Sequence, residues 1–413
     1  MSRVLVIGGG AAGLMAGIFA ARAGAKAIVL ERNEKLGKKL YLTGKGRCNV
    51  TNAASLDQFM KMIPRNPRFL YAALNFFFNE DLMQLLTEEG VPVKVERGER
   101  VYPASDHASD VTRALEQALR RAGGQVMLGT RVAALERAQD GRCVGVRLEG
   151  GRVLAADAVV VATGGLSYPT TGSTGDGYGF AEQAGLMIVP TRPSLTGIET
   201  VESWPWGLSG LTLKNVALHA VRGKKKIFAQ QGELLLTHFG LSGPLALSLS
   251  GTLPDDYVGQ KLTLDLKPAL ERATLEARLL RDFKEMSRKQ LITVMDGLAP
   301  HNLALALLDL AGLRPDTPVN AVTTAQRAQL IDVLKGAAVT IKGLRGYAEA
   351  VITRGGVCVK QVSASTLEAK DVPGLYFAGE VLDIDAMTGG YNLQLAFSTG
   401  ALAGDCAARA SNE

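Results

Sequence analysis

The sequence predicts an α/β fold. A mostly parallel sheet with flanking helices is assembled from both ends of the chain, with an antiparallel β domain and a small helical domain inserted between them. Three observations predict it. The first 31 residues read strand, glycine-rich turn, helix, strand. Two later apolar runs, "AVVVATGG" from Ala158 and "GLYFAGE" from Gly374, end in glycines as buried parallel strands do. Between 191 and 345 the text turns first to short alternating runs and then to apolar residues at helical spacing.

Each element has its own signal. "RVLVI" is a short apolar strand, "GGGAAG" a turn, "LMAGIFAARAG" a helix stopped by Gly24, and "KAIVLE" a second strand. Helical patterns return at 67–89 and 108–122, the second with an Asp/Ser start and a Gly stop, and strands follow at "QVMLGTRVAALE" and "CVGVRLEGG". Prolines at 190 and 193 mark the change to β text, helical text runs from 269 to about 337, and "NLQLAFSTGALAGDCAARA" forms a last helix. The expected domains are therefore 1–190 with 346–413, an inserted β domain at 191–268 and a helical domain at 269–345.

Composition narrows the function classes. With 413 residues and 47% hydrophobic residues, the chain can bury at least one large core. The net charge of +6 is spread among acidic residues, so no continuous basic face is expected and nucleic acid is not an expected partner. The one compact basic run, Lys224 to Lys226, reads as a solvated hairpin tip, with anion docking as the alternative. Four separated cysteines without a CxxC pair, and four histidines, argue against zinc or a disulfide framework and for a reducing cytoplasm. No charge interrupts Val4 to Ala21, but Gly8, Gly9, Gly10, Gly13 and Gly17 sit where a membrane helix or signal peptide would need leucine. No membrane association is expected, and the oligomeric state stays open.

The first motif explains those glycines. Gly8-x-Gly10-x-x-Gly13 lies between strand and helix, with Gly17 beyond it and Glu31 ending the second strand. Gly8 permits the turn, Gly10 lets a pyrophosphate reach the backbone, and Gly13 with Gly17 lets helix and sheet approach. The helix N-terminus presents N–H groups to phosphate, and a carboxylate at Glu31 suits ribose hydroxyls. This is a Rossmann-like dinucleotide site, for NAD or for FAD. A second GxGxxG unit is absent, since "GSTGDGYG" lacks a preceding apolar strand, while Glu380 and the turn Gly389-Gly390-Tyr391-Asn392 offer an extended FAD its further contacts.

Beyond these residues, "GGGAAGLMAG", "TGKGRCNVTN", "ATGGLSYPTTGSTGDGYGFAEQAG", "LLLTHFGLSGP", "GGVCVKQV" and "GLYFAGEVLDIDAMTGGYNLQLAFSTG" together resemble the YhiN/BaiN-type family of FAD flavoproteins. The GDGY segment and the C-terminal motif are more distantly similar to fumarate reductase and succinate dehydrogenase flavoproteins. The resemblance implies a discontinuous FAD domain with an inserted β-barrel-like domain and a small helical domain. It also implies that Gly44, Lys45, Gly46, Arg47, Cys48 and Asn49 lie against the flavin, with Lys45 where relatives often carry glycine. The expected cofactor shell is completed by Gly8, Gly10, Ala11, Ala12, Gly13, Glu31, Arg32, Lys39, Val132, Thr163, Gly164, Gly165, Gly379, Glu380, Gly390, Asn392 and Leu393.

For chemistry, Arg47 and Asn49 either hydrogen-bond flavin or substrate or, in the case of Arg47, brace the loop. Cys48 is expected to be a small inert residue, because no resolving cysteine is near it. His238 is a candidate substrate-side or proton-donating group against a structural reading, and Tyr391 and Tyr168 either line the cleft or pack. The expected activity is hydride transfer between flavin N5 and a small organic substrate, as an NAD(P)H-linked reductase of an activated C=C bond. The alternatives are a peroxide-forming oxidase of amines or amino-ketones and, ranked lower, a flavin-dependent RNA-modifying or redox-sensing protein. No metal is expected.

Overall fold

The computed structural model describes residues 2–223 and 225–410. Two compact units divide the chain: Met1–Ser194 with Gly346–Glu413, and Leu195–Arg345. In the first unit, strand β1 (Arg3–Ile7) pairs in parallel with β2 (Lys26–Leu30) on one side and with strand Ala158–Val161 on the other. Strands Leu375–Phe377 and Gln125–Met127 extend the two edges, giving a five-stranded parallel sheet. The sheet makes the unit discontinuous, because its Leu375–Phe377 strand is supplied from beyond the insertion. Val159, Val160 and Val161 are fully buried, as an apolar strand covered on both faces must be.

Helix α1 (Ala11–Arg22) is buried along most of its length. It packs against β2 and helix Ala108–Arg121 at Gly17, and against the C-terminal helix Tyr391–Ala410 on another side. A Cβ on Gly400 would lie 2.2 Å from the Ala12 carbonyl oxygen, and one on Gly404 would lie 2.1 Å from that of Ala16. The two helices therefore touch backbone to backbone. The uncharged run Val4 to Ala21 is thus a core strand and helix, and no described helix is long and apolar enough to cross a membrane.

The helical run expected at 67–89 is divided into Pro67–Leu70, Tyr71–Phe76 and Asn79–Glu88. Phe77 is extended at the break, where its ring packs edge-on against Phe19 at 5.4 Å. The Phe78 N–H then donates to the Asp81 carboxylate at 2.7 Å, which starts the next helix. Tertiary burial of Phe77 outweighs continuous helical periodicity here.

The second unit contains a closed six-stranded barrel: Ile198–Thr200, Gly240–Ser242, Lys225–Thr237, Thr212–Arg222, Lys261–Asp265 and Ala337–Leu344 in order round the wall. The closing strand Ala337–Leu344 lies inside the segment 269–345 that reads as helical, and it pairs with both Ile198–Thr200 and Lys261–Asp265. Helices Arg272–Glu285, Leu291–Asp296, His301–Leu310 and Thr324–Gly336 share one buried cluster with the barrel, in which Leu262 and Leu264 join Leu275, Leu279, Leu330 and Leu334. Arg222 pairs with Lys225 across the hairpin end, Lys225 and Lys226 are exposed, and Lys224 lies outside the described residues.

The close contact of the two helices makes a direct prediction. Gly404→Val places branched carbon against the Ala16 carbonyl and lowers stability by about 1–3 kcal/mol. A thermal or urea melt of the purified protein measures it, and an unchanged midpoint contradicts the contact.

Candidate active site

The site is built where the parallel strands end. β1 runs into Gly8, whose φ of +104° and position beside Ala162 exclude a side chain: a Cβ would lie 2.5 Å from the Ala162 carbonyl oxygen. At Gly13 a Cβ would lie 1.8 Å from the Gly8 carbonyl oxygen, so α1 can start directly on the turn. Gly10 differs, because nothing lies within 4 Å of where its Cβ would be. Open space therefore faces the helix N-terminus, where the N–H groups of Ala11, Ala12 and Gly13 lack intrahelical partners.

Glu31 ends β2 as a buried carboxylate. It accepts from the Gly9 N–H at 2.7 Å and from the backbone and side-chain nitrogens of Asn33 at 2.7 Å each. These bonds hold the carboxylate against the glycine turn, and a carboxylate retains acceptor capacity beyond three donors. Arg32 points elsewhere, to Thr174 at 2.7 Å and Asp176 at 3.2 Å. Val132 is buried at the start of strand Val132–Arg137.

Across the sheet, Thr163 follows strand Ala158–Val161, and its buried Oγ1 has no hydrogen-bond partner among the described residues. Lys39 Nζ lies 3.7 Å from where a Cβ on Gly164 would be, and a Cβ on Gly165 would lie 2.5 Å from Thr353 Oγ1. Lys39 donates to Glu380 Oε2 at 2.9 Å and to Ser167 Oγ at 3.0 Å. Glu380 Oε1 in turn accepts from Ser167 Oγ at 2.6 Å and from the Thr353 N–H at 2.8 Å. Burial works to raise the Glu380 carboxyl, but Lys39 and these donors outweigh it and hold the group below the usual carboxylate range. Gly379 sits 2.8 Å, measured from its would-be Cβ, from Ala12 Cβ, so the strand end at Glu380 and the start of α1 are neighbours.

The loop Thr43 to Asn52 turns through left-handed residues, Gly44, Lys45, Gly46 and Cys48 all having positive φ. Two of these are not glycine, and such strain collects at functional loops. The Arg47 guanidinium meets Glu96 at 2.9 and 3.1 Å and Asp106 at 3.2 Å, and lies 4.0 Å from the Tyr102 ring centroid. This is the geometry of a brace, with the Arg47 side chain engaged by protein partners. The hydrogen bond from Arg47 holds the Glu96 carboxyl below its usual range.

Asn49 is placed differently. Its buried Oδ1 has no hydrogen-bond partner among the described residues and lies 3.0 Å from where a Cβ on Gly390 would be. Buried acceptors without donors are rare, and an N–H or O–H of a bound group fits here. Asn392 is turned inward: it accepts from the Ala386 N–H at 2.8 Å and donates to the Ala386 carbonyl at 2.8 Å, fixing the turn before Gly390, and Leu393 is half-buried beside it. The Tyr391 ring packs edge-on against Phe59 at 4.8 Å. Cys48 is fully buried, and burial pushes its thiol up to about 12. Lys45 is exposed and forms no ion pair among the described residues. Tyr168, with a φ of +51°, donates its backbone N–H to the Tyr347 carbonyl. His238 belongs to the second unit, where its ring meets Phe239 edge-on at 5.2 Å, so it is not among the groups the first unit assembles.

The sequence reading passed over Asp383, Asp385, Arg65 and Asn66. Arg65 Nη2 donates to both Asp383 oxygens at 3.0 and 3.2 Å, and Asn66 Nδ2 donates to the Asp383 carbonyl at 2.7 Å. The available signal was the Asp-Ile-Asp alternation inside a run of otherwise apolar residues and glycine.

The chain matches the HI0933-like protein Rossmann domain over residues 2–406. It belongs to that family. A 3-dehydro-bile acid delta(4,6)-reductase of Clostridium scindens is 33% identical over 99% of both chains. A ribosomal RNA dihydrouridine synthase of Haemophilus influenzae is 31% identical over 96% of both. Among solved structures, a flavocytochrome c3 fumarate reductase in an open conformation superposes with a TM-score of 0.51 at 19% identity, covering 100% of this chain and 79% of that one, which bears on the fold alone. As an HI0933-like protein, the chain is a FAD-dependent oxidoreductase. The open face of Gly10 and the unpartnered Thr163 Oγ1 and Asn49 Oδ1 fit an extended dinucleotide lying along the strand ends.

Two measurements follow from this geometry. Glu31→Ala removes a charged acceptor worth about 1.5–3 kcal/mol and weakens FAD binding at least about tenfold, read from flavin fluorescence on titration into the apoprotein. Iodoacetamide at pH 8 leaves Cys48 unmodified in the native protein and modifies it after unfolding, as peptide mass shows; rapid native labelling contradicts the burial.

Proposed function

We propose that this protein reduces a carbon–carbon double bond conjugated with a carbonyl group in a small organic molecule, using hydride from FAD that NAD(P)H has reduced. One observation carries the reading. Relatives with unlike substrates are named for one type of reaction, reduction of a delta(4,6) 3-dehydro-bile acid and conversion of uridine to dihydrouridine. Both reactions saturate a double bond activated by a carbonyl. The site is compatible with that economy of parts: Cys48 is buried with a raised pKa, so the flavin carries the redox chemistry and the chain's residues bind and orient.

A second reading has its own observation. Arg281 and Lys284 on helix Arg272–Glu285, with Arg288 and Lys289 just beyond it, are exposed and have no acidic side-chain partner among the described residues. Such a basic strip suits a phosphate backbone, and the substrate is then a uridine of ribosomal RNA.

The deciding experiment is anaerobic. NADH or NADPH bleaches the bound flavin, and a 4-en-3-one or 4,6-dien-3-one steroid restores its absorbance with formation of the saturated ketone. No bleaching by either nucleotide, or peroxide production from aminoacetone in air, speaks for an oxidase instead. For the second reading, RNA containing the target uridine restores the colour and gains two mass units. The double variant K284E/R288E then weakens RNA binding and lowers its salt slope by about one per removed phosphate contact.

A further inference from the structure

Asp385 lies in the segment that joins Gly379-Glu380 to Gly389-Gly390, and its neighbour Ala386 is bonded to Asn392 in the turn before the C-terminal helix. Its side chain is 1% exposed. Among the described residues Oδ1 has no hydrogen-bond partner, and its contact with Arg65 Nε spans 3.7 Å, too far for a hydrogen bond. Arg65 is already committed to Asp383, which also receives a bond from Asn66 at 3.1 Å. Three arginines act on Asp385: Arg65 from the turn before Pro67, and Arg192 and Arg354 from the antiparallel strands Ile188–Ser194 and Ile352–Val357, where they stand directly opposite each other. Asp383 opposes them from the same segment. Tyr178, on helix Asp176–Gln183, has a buried hydroxyl without a hydrogen-bond partner among the described residues, and burial first, then the charges of Glu380 and Asp383, keep it protonated.

A buried carboxyl with one bare oxygen costs stability whenever it is charged. Burial outweighs the three arginines and pushes Asp385 from its ordinary 3.8 up to about 6. The sign follows. A carboxyl raised in the folded state contributes stability that is full below about pH 4, is lost as pH rises toward 6, and is absent at neutral pH.

We propose that Asp385 is a redox-linked proton store for the bound flavin. When FAD takes up two electrons and one proton and gains one negative charge, the Asp385 carboxylate takes one further proton from water, forming its own O–H bond. The charge of the site then stays the same in both states. When hydride leaves for the substrate and the flavin is neutral again, Asp385 returns that proton. The nearby arginines keep the carboxylate tolerable in the oxidised state, and Asp383, held by Arg65 and Asn66, supplies the like charge that favours proton uptake.

The test compares wild-type holoprotein with D385N. The midpoint potential of bound FAD is measured against pH by dye equilibration with a chemical reductant. Above about pH 6 the wild type shows one more proton per two electrons than D385N, an extra slope of about 30 mV per pH unit. Equal slopes overturn the proposal. A second readout uses the apoprotein: D385N melts at a higher temperature than wild type at pH 7–8 and loses that advantage near pH 4, whereas a purely structural role predicts a lower melting point throughout. If D385N does not fold, proton uptake by the wild type on photoreduction in weakly buffered dye decides alone, two protons per FAD being expected and one overturning it. None of these readouts needs the organic substrate, so a failure of the reductase reading and a failure of this one are told apart.

Discussion

The first unit depends on one contact: the start of α1 lying directly on the turn that leaves β1. Gly13 meets the Gly8 carbonyl at a distance no side chain permits, and Gly8 itself is pressed against Ala162 in a left-handed conformation. Gly400 and Gly404 then let the C-terminal helix pack on the far side of α1, with backbone against backbone. The residues at both ends of the chain are thereby fixed about one another, and Glu31, Thr163 and Glu380 all lie along the C-terminal edge of the sheet, where its parallel strands end.

At that edge, charge is handled in two ways. Lys39, Ser167 and Thr353 satisfy the half-buried Glu380 carboxylate, so its charge is kept at little cost. Asp385, a few residues further on, is buried with one oxygen left bare, and its charge is costly. Two carboxylates in one segment are pushed in opposite directions by their surroundings, the pattern by which proteins separate a structural acid from a titrating one. Arg47 falls outside this scheme, since its partners Glu96, Asp106 and Tyr102 belong to the small sheet and loop beside it.

The second unit shows how differently a barrel is specified. Its wall is closed by Ala337–Leu344, a strand that follows four helices and shares their core. Read alone, the segment 269–345 is dominated by helical spacing. Only pairing with Ile198–Thr200 and Lys261–Asp265, distant in sequence, gives "AAVTIKGL" its strand partners.

By itself the sequence determined the features whose signal is local. The strand–turn–helix–strand order, the glycine spacing and Glu31 define a dinucleotide cradle, because each residue's task there depends on neighbours within about thirty positions. Tertiary structure decided what depends on partners far along the chain. Arg47 could equally have faced a ligand until Glu96 and Asp106 were seen to hold it. Asp385 lies within the C-terminal motif, but its state is set by burial against the opposing pull of Arg65, Arg192 and Arg354, which the fold brings from three separate segments. A side chain's conformation and charge follow the field of everything packed around it, and that field is assembled only when the chain closes on itself.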